Sequence, residues 1–179
     1  MFDPEHFVAQ CDAAILAGGG AVEVYELLAS AVADPAAICA ALGERIRSGL
    51  QVLHRSPRLT VINLAWPVSF IGRPHNHLMW AVIGVYGGRE DNIFWRRCSR
   101  DARRPIEVVG AASLVTGDVC KMQNDAIHSV TNPLGKLTTG IHVYGGDFFE
   151  PAKSHWDGEA LTEEPLQGGP VRKSLSSED

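Results

Sequence analysis

The sequence predicts a mainly β protein, a sandwich or barrel of short strands preceded by a helical segment. Two observations carry that expectation. Apolar residues recur at three- and four-residue steps up to about residue 48, and from about residue 50 the recurrence shifts to every second residue. Turn-forming residues then interrupt the chain at short intervals, as they do in all-β sandwiches and barrels.

In the helical segment, Phe7, Val8, Cys11, Ala14 and Ile15 mark one apolar face, and Gly18-Gly19-Gly20 ends it. A second helix is expected from Ala21 to Val32, with Val22, Tyr25, Leu27, Leu28 and Val32 as its apolar positions. Asp34-Pro35 opens a third, because aspartate is a good N-cap and proline suits the first helical position. Ile38, Leu42 and Ile46 share its apolar side.

Strands are expected from Arg58 to Trp66, Met79 to Tyr86, Ile93 to Cys98, Ile106 to Val109 and Lys136 to Tyr144. The turns between them fall at Pro67, Gly72-Arg73-Pro74, Gly87-Gly88, Gly110, Thr116-Gly117-Asp118 and Asn132-Pro133-Leu134-Gly135. The organisation is that of one domain. Residues 1–48 form a helical segment packed on a barrel of residues 49–156, and residues 157–179 form a polar tail whose last dozen residues are expected to be mobile.

A chain of 179 residues is long enough for one ordinary core, and 45% apolar with 21% charged residues is the balance of a globular protein. The net charge is −5, with no basic patch, which argues against nucleic acid and membrane surfaces as partners. Arg96, Arg97, Arg100, Arg103 and Arg104 form a local cluster that reads as a solvated hairpin loop rather than an anion site. No apolar run is long enough to span a bilayer, and Met1-Phe2-Asp3-Pro4-Glu5 lacks the basic start of a secretory signal. Cys11, Cys39, Cys98 and Cys120 are widely spaced with no CxxC pair, as expected of reduced thiols in a cytoplasmic protein.

The chemistry concentrates in histidines. His75 and His77 lie two residues apart, so a strand would present both on one face. A loop carrying Gly72 and Pro74 precedes them, and Met79, Trp80, Val82 and Ile83 follow as a dry wall. His128, on a separate strand, can close a triad around one metal ion. Three imidazoles suit iron, nickel, copper or zinc and leave positions open for small molecules. The alternative for His128 is a buried structural histidine with satisfied nitrogens. His142 and Tyr144 are also two residues apart and would look into the same cavity, unless they are ordinary half-buried barrel residues. His6 and His54 read as surface residues, and His155 lies just after the barrel.

Gly117, His128 and Asn132 keep the spacing of the second cupin motif, Gly-x5-Pro-x-Gly-x2-His-x3-Asn, with Gln123 and Asp125 at its proline and second glycine. The first cupin motif adds a glutamate four or five residues after its second histidine, where this chain has Ala81 and Val82. Glu90 lies beyond Gly87-Gly88 and reads as a surface carboxylate in a turn. A three-histidine site without the glutamate resembles the thiol dioxygenases, and the resemblance spans about residues 58–150. It rests on the strand from Arg58 to Trp66, His75-Asn76-His77, Ile127-His128-Ser129-Val130-Thr131-Asn132 and His142-Val143-Tyr144.

The resemblance implies a cupin-type double-stranded β-helix, or jelly-roll barrel. It implies Fe(II) held by His75, His77 and His128, with nickel or zinc as the alternatives in purified protein. A small thiol acid would be oxidised by O2 to its sulfinate, with the Tyr144 hydroxyl held by His142 and reaching toward the substrate. The chain departs from the family at three places. Gly140 stands where the family has a relay serine. No cysteine lies between His77 and Cys98, so no tyrosine crosslink is expected. Gly49 stands where the family has a carboxylate clamp, leaving Arg47, Gln51 and Arg73 as nearby candidates, with Trp80 and Met79 as further pocket residues. Cleavage of a β-diketone, or binding of a metal or small molecule without turnover, are the other readings. The expected partners are a small-molecule substrate and O2, in a monomer or homodimer.

Overall fold

The computed structural model describes residues 1–98, 105–150 and 152–166. Three helices come first: α1 (Pro4–Leu16), α2 (Gly20–Val32) and α3 (Pro35–Leu42). Asp3 caps α1 by accepting from the backbone N–H groups of Glu5 at 3.0 Å and His6 at 3.1 Å. Asp34 caps α3 in the same way through Ala37 at 3.1 Å. Each such cap contributes about 1 kcal/mol. The third helix stops earlier than its apolar spacing predicts. Gly43 takes φ 79°, a left-handed turn that ends the helix, and Ile46 beyond it is 84% exposed rather than on the buried face.

Eleven strands follow among the described residues: β1 (Gly49–Arg55), β2 (Thr60–Trp66), β3 (His75–Asn76), β4 (Ala81–Gly87), β5 (Arg89–Arg97), β6 (Ile106–Val115), β7 (Val119–Met122), β8 (Ile127–Thr131), β9 (Thr138–Tyr144), β10 (Ser154–Trp156) and β11 (Glu163–Pro165). They form two antiparallel sheets, ordered β1-β2-β9-β4-β7 and β11-β10-β3-β8-β5-β6. From β2 to β9 the chain alternates between the sheets, except at the β5–β6 hairpin. The central strands are thereby ordered β2-β9-β4-β7 and β3-β8-β5-β6. That order defines a double-stranded β-helix of the cupin type.

The helices cover the outer face of the first sheet. Phe7, Cys11, Val24, Leu28, Val32 and Ile38 pack against Leu59, Val61, Val82, Ile141 and Val143. The inner face carries Ile62, Leu64, Trp66, Ala81, Ile83, Val85 and Tyr144 in a second cluster. β2, β9 and nearly all of β4 are therefore buried on both faces, and β4, Ala81–Gly87, carries no charged residue. Gly84, on the outer face of β4, is where α2 comes closest. A Cβ there would lie 2.8 Å from Leu28 Cγ and 2.9 Å from Val32 Cγ1.

Two strands run further than the sequence indicates. β6 continues through Gly110, expected to be a turn, because the register shifts at Phe94/Trp95 and a bulge at Val109 absorbs the extra residue. β5 begins at Arg89, directly after the Gly88 turn at φ 86°. Of the segment read as a polar tail, Glu163–Pro165 pairs with β10, and residues 167–179 lie outside the described residues. So do Arg100, Arg103 and Arg104 of the basic cluster. Arg96 and Arg97 pair with Glu107 at 2.7 Å and Glu163 at 2.7 Å. Among the described residues, no single helix is long and apolar enough to cross a membrane.

Candidate metal centre

β3 and β8 are hydrogen-bonded neighbours with His75 directly opposite His128. His77 follows β3 two residues after His75, and its ring turns to the same side. The three ring centroids lie 4.6 to 5.0 Å apart, and one nitrogen from each ring falls within 4.8 Å of the other two. All three rings are buried. Two are braced from outside. Nδ1 of His75 donates to the Arg73 carbonyl at 3.0 Å, and Nδ1 of His128 donates to Oδ1 of Asn92 at 2.7 Å. Both bonds place the proton on Nδ1 and leave the Nε2 lone pair facing the cluster. Histidines that bind metals are usually held in this way.

The charge state fits as well. Burial lowers His75 to about 4 and, helped by the neighbouring imidazoles, holds His77 and His128 well below the ordinary histidine range. All three are neutral at pH 7, the form that binds metals. Nε2 of His77 lies 2.9 Å from Nε2 of His128, while Nδ1 of His77 has no partner among the described residues. Converging nitrogens of this kind are matched by a cation that accepts from all three, and the cluster could hold one metal ion.

The cluster lines a small cavity of about 10 Å3 between the sheets, little more than the space of one water-sized group. His142 and Tyr144 reach the same cavity from β9, with the tyrosine hydroxyl 3.3 Å from Nδ1 of His142. Burial lowers His142 to about 3 and pushes Tyr144 above the usual tyrosine range, so both are neutral. The other walls are apolar: Leu50, Ile62, Leu64, Trp66, Val130 and Phe148.

None of the four residues expected to bind substrate lines this cavity. Gln51 is exposed on β1, accepting from Asn63 at 3.1 Å and Arg45 at 3.4 Å, and its neighbour Leu50 faces inward instead. Trp80 points outward to the helix side, against Gly145. Met79 packs in the inner core beside Gly146. The Arg73 side chain is exposed, 3.9 Å from Asp157 and from Glu164, and only its carbonyl serves the site.

Glu90 departs most from expectation. It is 1% exposed, not a surface residue in a turn. Because β5 starts at Arg89, strand alternation turns Glu90, Asn92 and Phe94 inward and leaves Arg89 and Asp91 outside. Trp66 Nε1 donates to Oε2 of Glu90 at 2.6 Å, and Asn92 Nδ2 donates to Oε1 at 3.0 Å. The relay position, Gly140, cannot take a side chain without local movement, since a Cβ there would lie 2.9 Å from the Gly84 carbonyl. Asn132, the last residue of the second motif, pins a turn by donating to the Pro67 and Lys136 carbonyls at 2.8 Å each. His155 bonds Glu164 at 2.9 Å and does not line the cavity.

Fold and site together define a double-stranded β-helix protein with a buried three-imidazole cluster. No protein-family model matches the chain, and no curated protein matches it. Among solved structures it is similar to an RmlC-like cupin family protein from Methanocaldococcus jannaschii, at 9% identity over 59% of this chain and 87% of that one, with a TM-score of 0.46. It is also similar to hydroquinone 1,2-dioxygenase PnpCD, solved with Cd2+ and 4-hydroxybenzonitrile, at 9% identity over 57% and 66%, TM-score 0.44. A third likeness is to the DMSP lyases RdDddP and RnDddQII, at 18% identity over 53% of this chain and 42% of that one, TM-score 0.40. The match thus spans less than half the length of the lyase chain. At these identities the likeness concerns the fold alone.

Proposed function

We propose that this protein is a mononuclear iron dioxygenase that oxidises a small thiol to its sulfinate with O2. The observation that carries this reading is the three neutral imidazoles of His75, His77 and His128 sharing one cavity with the His142–Tyr144 pair. Iron, when bound, would supply open coordination positions and electrons through which a thiolate and dioxygen react. The chain's own residues do the rest. Tyr144 keeps its proton at neutral pH and can donate it in a hydrogen bond to a substrate heteroatom, while His142 holds the hydroxyl in place. Ile62, Leu64, Val130 and Phe148 exclude water from the reacting groups.

The test is oxygen consumption by iron-reconstituted protein with cysteine, 3-mercaptopropionate, cysteamine and a β-diketone, with analysis of the products. Uptake that depends on a thiol and yields a sulfinate is the expected result. A protein holding one iron per chain that consumes no oxygen with any thiol would overturn the proposal.

A second reading is supported by the cavity wall. Among the described residues that line it there is no lysine or arginine side chain to form an ion pair with a substrate carboxylate. An apolar carbon acid that binds as an enolate, such as a β-diketone, suits this lining better than a thiol acid. Uptake with the β-diketone alone would favour it.

A further inference from the structure

Glu90 is a buried carboxyl group that the proposed chemistry does not use. It stands between the two halves of the site. On one side its Oε1 accepts from Asn92 Nδ2 at 3.0 Å, and Asn92 Oδ1 accepts from Nδ1 of His128 at 2.7 Å. On the other its Oε2 lies 3.6 Å from Nε2 of His142, whose Nδ1 is 3.3 Å from the Tyr144 hydroxyl. The 3.6 Å separation is a close approach beyond hydrogen-bond length. Nε2 of His142 is buried with no other partner among the described residues.

We propose that Glu90 is the positioning residue of this site, its one carboxyl group orienting His128 through Asn92 and the Tyr144 hydroxyl through His142. The inference rests on the metal-centre reading for its first arm only.

Each arm follows from donor and acceptor chemistry. The Asn92 amide has one oxygen and one NH2 group. Glu90 Oε1 takes the NH2, so the oxygen must face His128, which then carries its proton on Nδ1 and turns a bare Nε2 toward the cluster. In the second arm, the two established donors to Glu90, Trp66 and Asn92, are both uncharged. A fully buried carboxylate without a cationic partner is costly, which favours the protonated form. Burial accordingly raises the Glu90 pKa. The acid proton on Oε2 then has the empty Nε2 of His142 as its acceptor. That leaves the histidine proton on Nδ1, donating to the tyrosine oxygen. The tyrosine's own proton is free to point into the cavity, where a substrate would receive it.

Two variants separate this role from mere packing. Glutamine at 90, combined with Trp66→Phe to remove the indole N–H that donates to Oε2, keeps an acceptor for Asn92 and places an N–H where the acid O–H points at His142. Leucine fills similar space and offers neither. The readouts are the ring tautomers of His142 and His128 by nitrogen-15 NMR, in metal-free and zinc-loaded protein, and zinc affinity by chelator competition.

In wild type and the Glu90→Gln/Trp66→Phe protein, both histidines are expected as the Nδ1–H tautomer. In Glu90→Leu, His142 is expected to shift to Nε2–H or a mixture, and zinc affinity to fall by less than the about ten- to hundredfold that losing a direct outer partner of a metal ligand costs, because Asn92 remains. Unchanged tautomers and zinc affinity in a folded Glu90→Leu protein would overturn the proposal. A shift in the Glu90→Gln/Trp66→Phe protein equal to that in Glu90→Leu would overturn its His142 arm. If wild type binds no zinc, the metal-centre reading fails, and the His142 tautomer in the metal-free protein still decides the second arm. None of these readouts needs turnover, so a failed search for a substrate leaves the test intact.

Discussion

Oδ1 of Asn92 lies 2.7 Å from Nδ1 of His128, a buried bond between β5 and β8, which pair side by side. It fixes the ring's tautomer before any metal arrives. Replacing Asn92 by leucine should therefore lower zinc or iron affinity about ten- to hundredfold while the protein stays folded. His128→Ala removes a ligand and should abolish stoichiometric metal. Metal analysis after dialysis, with chelator competition, measures both. Full metal content in His128→Ala would remove that residue from the centre.

Acid should destabilise the metal-free protein over a defined window. His75, at about 4 when folded, and His142, at about 3, both start from an ordinary value of 6.5, and His77 and His128 shift the same way. A histidine with a lowered folded pKa leaves the unfolded chain holding more protons, so stability rises with pH through that interval. Stability should fall as pH drops from about 6.5 toward 4, with His75 alone corresponding to about 3 kcal/mol. Glu90, raised by burial, acts in the opposite sense above the usual carboxylate range, as one group against four. Urea midpoints at half-unit pH steps check the slope. A flat profile from pH 7 to 4.5 would mean these imidazoles are solvated in the folded protein.

Tyr144→Phe removes one hydroxyl from the cavity and little else, because the ring packs on Phe148 with centroids 4.4 Å apart. Metal content and melting temperature should stay close to wild type. Turnover with the best substrate should fall about ten- to hundredfold, the scale of one hydrogen bond to a group gaining charge. Unchanged turnover would remove Tyr144 from the mechanism.

The metal cluster was legible because two of its histidines obey strand periodicity and the third sits in a spaced motif. The same period of two runs through the structure: even-numbered Ile62, Leu64 and Trp66 face inward on β2, as do His142 and Tyr144 on β9. Glu90 was missed because the signal depends on where β5 begins. With a start at Ile93 it falls in the turn, whereas with a start at Arg89 it joins Asn92 and Phe94 on the inner face. A charged residue also gives no hydrophobic signal when it points inward. Trp80 was misplaced for the opposite reason. A tryptophan beside a histidine pair looks like pocket wall, but sheet one is buried on both faces, and the helices offer an apolar home on the far side. Gln51 and Leu50 differ by one residue on a strand, and that step alone moves a side chain from the cavity to solvent.

The approach of α2 to β4 gives a test of the fold itself. Gly84→Ala would put a methyl 2.8 Å from Leu28 Cγ and 2.9 Å from Val32 Cγ1, atoms held in a closed core. Overpacking of this kind costs about 1–3 kcal/mol. Leu28→Ala alone leaves a cavity and should cost about 2–5 kcal/mol, since Leu28 is fully buried. The two changes occupy the same space from opposite sides. In the double variant the alanine methyl of residue 84 fills part of what Leu28 vacates, although Val32 still presses on it. The combined loss should therefore be smaller than the sum by roughly 1 kcal/mol or more, the coupling expected of residues in contact. Chemical denaturation of all four proteins supplies the cycle. Strict additivity would show that α2 does not seat on Gly84 in solution, and the helical layer would then have to be placed elsewhere on the sheet.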